Sequence, residues 1–367
     1  MGRGIEEIDK NFAAEQVRYD GMTTYHLPCA PFEIRGLYRA APGDYRRLPH
    51  EVARQCNESL QQMYLCPSGG RIRFRTDSGR VILKSVQPDL KAYPHQPLTG
   101  SHCFDLYADG VYINAFRPDT SAAGAHVSRA DFSVSQGYDA MISLGERKMR
   151  EIEIGFPLYS PVSDVYVALE SDASLLPPTP YAVEKPFVIY GTSVTQGGCV
   201  SHPGINYPAL LSRWLNLDFI NLGFSNGGQR EQEVAAYIAG LPMCALVIDS
   251  DANATGPEAL AATYEPFFRT IRAAQPDLPV IFACMLGRFH QEAPVRRKIV
   301  RDVYKKVRAE GDAHVWFLDE SEAIAPWGGA DTCTVDGLHA NDMGSYLVAK
   351  ALEPILRQAV QTGKSGR

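Results

Sequence analysis

The chain has 367 residues, 45% apolar and 21% charged, proportions of a folded globular protein that exclude a largely disordered, collagen-like or coiled-coil chain. At about 150 residues per domain, this length predicts two domains. Thirty-six Lys and Arg against 42 Asp and Glu leave a net charge of −6 with no long cationic block, so no nucleic-acid partner is expected; Arg296-Arg297-Lys298 reads as a solvated helix face.

No stretch approaches the ~18 apolar residues of a membrane span, and Met1 to Lys10 carries no apolar segment. Neither a membrane partner nor a signal peptide is expected, and the chain reads as cytoplasmic. The eight cysteines include no C-x-x-C pair, which speaks against a zinc knuckle or redox motif and fits reduced thiols.

In chain order, short strands come first. Arg71 to Arg75, the turn Thr76-Asp77-Ser78-Gly79 and Val81 to Val86 predict a hairpin, and Phe104 to Tyr107 with Val111 to Ala115 predict a second around Ala108-Asp109-Gly110. Met149 to Phe156 and Asp164 to Glu170 add two strands, and the set predicts an antiparallel β-sandwich. Pro177, Pro178, Pro180 and Pro186 forbid helix and cannot donate to a ladder, so a linker is expected over 172–186, with domains 1–176 and 177–367.

Beyond the linker, strand-length runs at Phe187–Tyr190, Phe219–Phe224, Ala245–Asp249, Val280–Met285 and Val315–Leu318 alternate with amphipathic segments of helix length. The latter are Tyr207–Leu215, Glu231–Ala239, Pro257–Ala274, Ala293–Ala309 and Met343–Gln361. This rhythm predicts an α/β unit whose parallel sheet is covered on both faces, with ligands at the carboxyl ends of the strands near the reversal of strand order.

Four segments could carry chemistry, three at those ends and one just before the last helix. Gly191-Thr192-Ser193 follows the first strand, where a serine at a sharp turn is presented as a nucleophile; an anion cradle or helix cap is the alternative. Asp336 and His339 are three apart, a spacing that lets a carboxylate hold an imidazole for proton transfer, though such pairs also cap helices and bind metals. Asn253, after the third strand, could donate to an oxyanion or simply sit in a turn. The loop Phe224-Ser225-Asn226-Gly227-Gly228 leaves main-chain N–H groups accessible, or is only a flexible connection.

The order of these four segments resembles the SGNH, or GDSL-like, hydrolase family over residues 186–356. The resemblance implies a three-layer, flavodoxin-like catalytic domain preceded by a jelly-roll-like β-sandwich accessory domain. It implies Ser193 as nucleophile, Asp336 and His339 as its partners, and an oxyanion hole from Ser193, Asn226 or Gly227, and Asn253. Thr192 stands where the family commonly has aspartate. No cofactor is implied. The substrate implied is a small-molecule ester, an acetylated sugar among the candidates, and a homo-oligomer is left open. Thr192, Arg288, His290 and Trp327 lie where a substrate could be met; His202 and Tyr207 are candidates for an acyl pocket, and Trp214 and Trp316 for the core.

Two other classes compete. Asp249, Asp251, Asp336 and His339 could hold Mg²⁺ or Mn²⁺ for phosphate-ester hydrolysis. A non-catalytic carbohydrate-binding protein with a vestigial serine site is the third reading.

Overall fold

The computed structural model describes residues 17–88, 93–117, 137–287 and 291–365. The first part of the chain carries β1 (Met22–His26), β2 (Glu33–Arg35), β3 (Arg39–Ala41), β4 (Asp44–Arg46), α1 (His50–Ala53), α2 (Glu58–Met63), β5 (Arg71–Thr76), β6 (Arg80–Val86) and α3 (Leu98–Ser101). It continues with β7 (Phe104–Ala108), β8 (Val111–Phe116), β9 (Tyr138–Ser143), β10 (Arg150–Gly155), β11 (Asp164–Glu170) and β12 (Leu175–Leu176). Two antiparallel sheets result, β1-β11-β6-β9 and β12-β5-β10-β7-β8, with β2 beside β5. Alternate residues of the central strands face one shared core, Ile72 and Phe74 from one sheet meeting Val81, Leu83, Val165 and Val167 from the other.

The hairpin expected over 71–86 does not form. β5 pairs with β10, while β6 pairs with β11 and β9, so the turn between them is a corner from one sheet to the other. Thr76 Oγ1 donates to the Ser174 carbonyl and Gly79 N–H to Glu170, bonds that tie the corner to the segment before β12 and to β11. Alternation identified the strands but carried no information on their partners. The second expected hairpin forms, β7 against β8.

Next come β13 (Val183–Gly191), α4 (Ser193–Gln196), α5 (Tyr207–Leu215), β14 (Leu217–Gly223), α6 (Gln232–Ala239), β15 (Ala245–Asp249), α7 (Pro257–Ala274), β16 (Val280–Cys284), α8 (Ala293–Ala309), β17 (Val315–Asp319), α9 (Glu320–Ile324), α10 (Ala330–Cys333) and α11 (Asp342–Ser365). The strands form one parallel sheet in the order β14-β13-β15-β16-β17. Alternation along β13 sends Val188 and Tyr190 to the face covered by α6, α7 and α8, and Phe187 and Ile189 to the face covered by α5 and α11. Strand order reverses between β13 and β15, so the carboxyl end of β13 opens at the crevice where such sheets bind ligands.

The stretch expected as a linker is partly strand. Leu175 and Leu176 pair with β5, and Pro186 lies inside β13. The register against β14 shifts between Val183 and Phe187, so the proline's missing N–H falls where the ladder is interrupted. Trp214 is not core: it is 38% exposed, with its ring edge-on to Tyr346.

The two parts share buried polar contacts. The fully buried Arg47 donates to the carbonyls of Asn221, Gly223 and Met63 and lies over the Phe224 ring, capping the carboxyl end of β14. Arg71 pairs with Asp218 against the Phe219 ring. Leu48, Ala53, Leu60 and Tyr64 pack in the same core as α6 and β14. Among the described residues no helix is long and apolar enough to cross a membrane.

Candidate active site

β13 ends at Gly191, and the chain turns at Thr192 into α4, which begins on Ser193. Only glycine fits at 191, since a Cβ would lie 1.9 Å from Thr195 Oγ1 and 2.6 Å from the Asp249 carbonyl oxygen. Thr192 is buried at the N-cap and makes no side-chain capping bond. Ser193 therefore opens a helical turn whose leading N–H groups have no intrahelical acceptor.

The loop before α11 brings the imidazole back to this turn. A bridge between Thr334 and Ala340 closes it, and Val335 N–H donates to the His339 carbonyl at 3.0 Å. Asp336 Oδ1 accepts the N–H groups of Leu338 at 3.0 Å and His339 at 2.8 Å, and its Oδ2 lies 2.7 Å from His339 Nδ1. His339 Nε2 lies 2.8 Å from Ser193 Oγ, across 146 positions of sequence. Burial works against the Asp336 charge, but the amides of His339 and Leu338 and the His339 ring outweigh it and hold the carboxyl below its usual range. A carboxylate, an imidazole and a hydroxyl in line at such distances can move a proton from the hydroxyl to the ring.

Beside Ser193, the carbonyl of Phe224 accepts three donors: Gly227 N–H at 3.0 Å, Gly228 N–H at 3.2 Å and Asn253 Nδ2 at 3.0 Å. This hub folds the loop so that Asn226 stands exposed at its apex with φ of +53°. Of the two amides considered for an oxyanion hole, that of Gly227 is thus engaged within the turn. Asn253 keeps one of its two amide hydrogens beyond the bond to Phe224.

The sites set out for a phosphoesterase metal do not converge. Asp249 Oδ2 accepts the hydroxyls of Tyr207 at 2.8 Å and Thr195 at 2.9 Å, and Asp251 Oδ1 accepts Met285 N–H at 3.0 Å, both carboxyls being buried. Asp336 is exposed and spent on His339 and Leu338, and among the described residues these three acids and His339 form no cluster of ligand atoms. Tyr207 is fully buried beneath the sheet end, and His202 pairs with Asp105 at 2.7 Å. Trp327 is 51% exposed on a short turn; Arg288 and His290 lie outside the described residues. Cys199 stays a neutral thiol, because burial, then Asp336, pushes it up to about 12.

Several contributors carried no signal in the sequence. Tyr159, between β10 and β11, donates its hydroxyl to the Ser193 carbonyl at 3.2 Å. Gln196 Nε2 donates to the Leu158 carbonyl at 3.0 Å while its Oε1 accepts Ser225 N–H at 2.9 Å, joining the sandwich to the loop after β14. Asp105 holds His202 and Gly204 N–H, and Tyr107 lies 3.9 Å under the Arg213 guanidinium, so β7 anchors the segment between α4 and α5.

Residues 184–357 match the GDSL-like lipase/acylhydrolase family model, and residues 26–175 match the GxDLY model, the N-terminus of SGNH-hydrolase-type esterases. Asp105-Leu106-Tyr107 supplies the last three residues of that name, with Cys103 at the glycine position. No curated protein matches significantly. Among solved structures, a protein of Bacteroides ovatus ATCC 8483 described as a GDSL-like lipase is 24% identical with a TM-score of 0.79, covering 93% of this chain and 98% of its own. The salicylyl-acyltransferase SsfX3 of a tetracycline biosynthetic pathway is 20% identical with a TM-score of 0.73 over the same shares. An acetyl xylan esterase, Est2A, of the rumen bacterium Butyrivibrio proteoclasticus is 11% identical with a TM-score of 0.55, over 93% of this chain and 99% of its own. At these identities the structural likeness speaks for the fold.

Proposed function

The chain belongs to the GDSL-like lipase/acylhydrolase family and is an ester hydrolase; we propose that it removes a small acyl group, acetyl from a carbohydrate, through a Ser193–His339–Asp336 triad. The observation that carries this reading is the continuous line from Asp336 Oδ2 through both ring nitrogens of His339 to Ser193 Oγ, with contacts of 2.7 and 2.8 Å. The acetyl and carbohydrate parts draw on the acetyl xylan esterase among the structural relatives.

His339 takes the Ser193 proton as Oγ attacks the ester carbonyl, and Asp336 fixes the tautomer and balances the imidazolium. The oxyanion meets the N–H of Ser193, the N–H of Asn226 and the free hydrogen of the Asn253 amide. His339 then returns the proton to the departing alcohol. A water deprotonated by the same ring releases the acyl group, restoring Ser193. Residues 1–176 act as an accessory domain that braces this site.

A series of p-nitrophenyl esters of rising chain length, run beside acetylated sugars, tests the proposal with Ser193→Ala as blank. Turnover highest for acetyl and absent in the variant is expected. A variant that keeps a near wild-type rate would move the nucleophile elsewhere, and a preference for long chains would remove the acetyl assignment.

A further inference from the structure

A histidine, a cysteine and the proposed catalytic base meet at the mouth of the site. His95, Cys199 and His339 each offer one ligand atom, and these atoms lie within 4.8 Å of one another. The three come from separate segments: His95 from the loop preceding α3, Cys199 from the turn after α4, and His339 from the loop before α11. The geometry points to a binding site for a borderline-soft transition ion such as Zn²⁺, which shuts the hydrolase off by taking the lone pair that His339 Nε2 otherwise turns to Ser193.

The donors suit that ion. Two imidazoles and a thiolate select zinc or cobalt over magnesium or calcium, which prefer oxygen, and leave a fourth tetrahedral position to water. His339 is already arranged as metal-bound histidines usually are: Asp336 engages Nδ1 at 2.7 Å, which leaves Nε2 as the coordinating atom. The other two donors are held by their surroundings. Thr99 donates to the Ser201 carbonyl and Ser201 N–H donates to Asp342 Oδ1 at 2.7 Å, stapling the segment that carries Cys199. The His95 ring lies 5.4 Å from that of His339 and 6.1 Å from Tyr93, whose ring abuts Tyr159. Cys199 is buried and His95 exposed, so an ion enters from the His95 side. On binding, the Cys199 S–H bond breaks, its proton passes to solvent and an S–metal bond forms. The ion replaces Ser193 Oγ as the partner of Nε2, so no base remains for the hydroxyl.

The inhibitory part rests on the triad reading, whereas the site itself does not, and the experiment separates the two. The full chain is stripped with EDTA, exchanged into metal-free buffer and titrated with Co²⁺, then with Zn²⁺ during hydrolysis of p-nitrophenyl acetate. The expected result is a sulfur-to-cobalt charge-transfer band in wild type and in Ser193→Ala, lost in Cys199→Ala and weakened in His95→Ala. Zn²⁺ at micromolar concentration should slow wild type at least tenfold, reversibly with EDTA, and leave His95→Ala near its metal-free rate. Absence of the band, or its persistence in Cys199→Ala, overturns the site. A band with an unchanged rate overturns the inhibition, because the ion then does not reach Nε2. The cobalt band in a chain whose metal-free form hydrolyses no ester sinks the hydrolase reading and leaves the metal site standing.

Discussion

The hydroxyl of Tyr159, carried by the sandwich, donates to the main-chain carbonyl of Ser193 at 3.2 Å, so the first part of the chain touches the residue proposed as nucleophile. That carbonyl also accepts the N–H groups of Gly197 at 3.0 Å and Gly198 at 2.9 Å. Tyr159→Phe removes one of three donors and leaves the ring in place. A buried hydrogen bond of this kind contributes about 1 kcal/mol. The expected outcome is a loss of several-fold in kcat with KM little changed, measured on p-nitrophenyl acetate together with the thermal midpoint. A variant that loses stability and no rate would reduce Tyr159 to a structural tie.

Asp336 does two jobs in the proposed triad, orienting the imidazole and stabilising its charged form. Asn at this position still accepts the N–H groups of Leu338 and His339 through Oδ1, so the loop should keep its shape. It puts an amide donor opposite His339 Nδ1, however, which favours the tautomer whose Nε2 carries a proton and cannot act as base. Asp336→Asn should lower kcat on the order of 10³ to 10⁴-fold while circular dichroism stays unchanged. A loss below tenfold would show that His339 works without its carboxylate.

Asn253 and Gly227 make opposite predictions although both were candidates for the same oxyanion. Asn253→Ala removes the proposed donor to charge that exists only in the transition state, so kcat should fall on the order of 100 to 1,000-fold with little change in KM. Gly227 N–H is already bonded to the Phe224 carbonyl. A Cβ there would meet Phe224 Cβ at 2.8 Å and Leu60 Cα at 3.0 Å. Gly227→Ala should therefore cost stability first, seen as a lower thermal midpoint. Equal midpoints with a selective loss of kcat would return Gly227 to the oxyanion hole.

What was legible in the sequence was local. Helices Tyr207–Leu215, Pro257–Ala274 and Ala293–Ala309 fall where amphipathic spacing put them, because each buries one face against a sheet that spacing alone implies. The serine turn and the Asp-x-x-His segment were visible for the same reason, being short and bound to strand and helix ends. Pairing was not legible: nothing in Arg71 to Val86 tells that the strands on either side of Gly79 enter different sheets. Contacts made across the two parts, such as Arg47 on β14, Tyr159 on Ser193 and His95 beside His339, join residues whose neighbours in sequence have no comparable role. In the sequence Asp105 is one residue of a strand, and its partners His202 and Gly204 lie about a hundred positions away.

Asp251 should make the fold less stable toward alkaline pH. It is fully buried behind the site, and burial first, then the neighbouring Asp249 carboxylate, pushes its carboxyl from 3.8 up to about 7, the Met285 N–H pulling the other way. The raised value means that the folded chain holds this proton while the unfolded chain has already released it. The associated stability is complete below the unfolded value near pH 4 and is lost as pH climbs to about 7. The loss amounts to about 1.4 kcal/mol for each pH unit crossed in that window. Asp251→Asn keeps an acceptor for Met285 N–H and abolishes the proton difference. Urea unfolding at pH 5, 6, 7 and 8 should show wild type weakening relative to the variant at each step up to about 7, with the gap constant above it. Two parallel stability profiles would mean that Asp251 is ionised in the fold throughout.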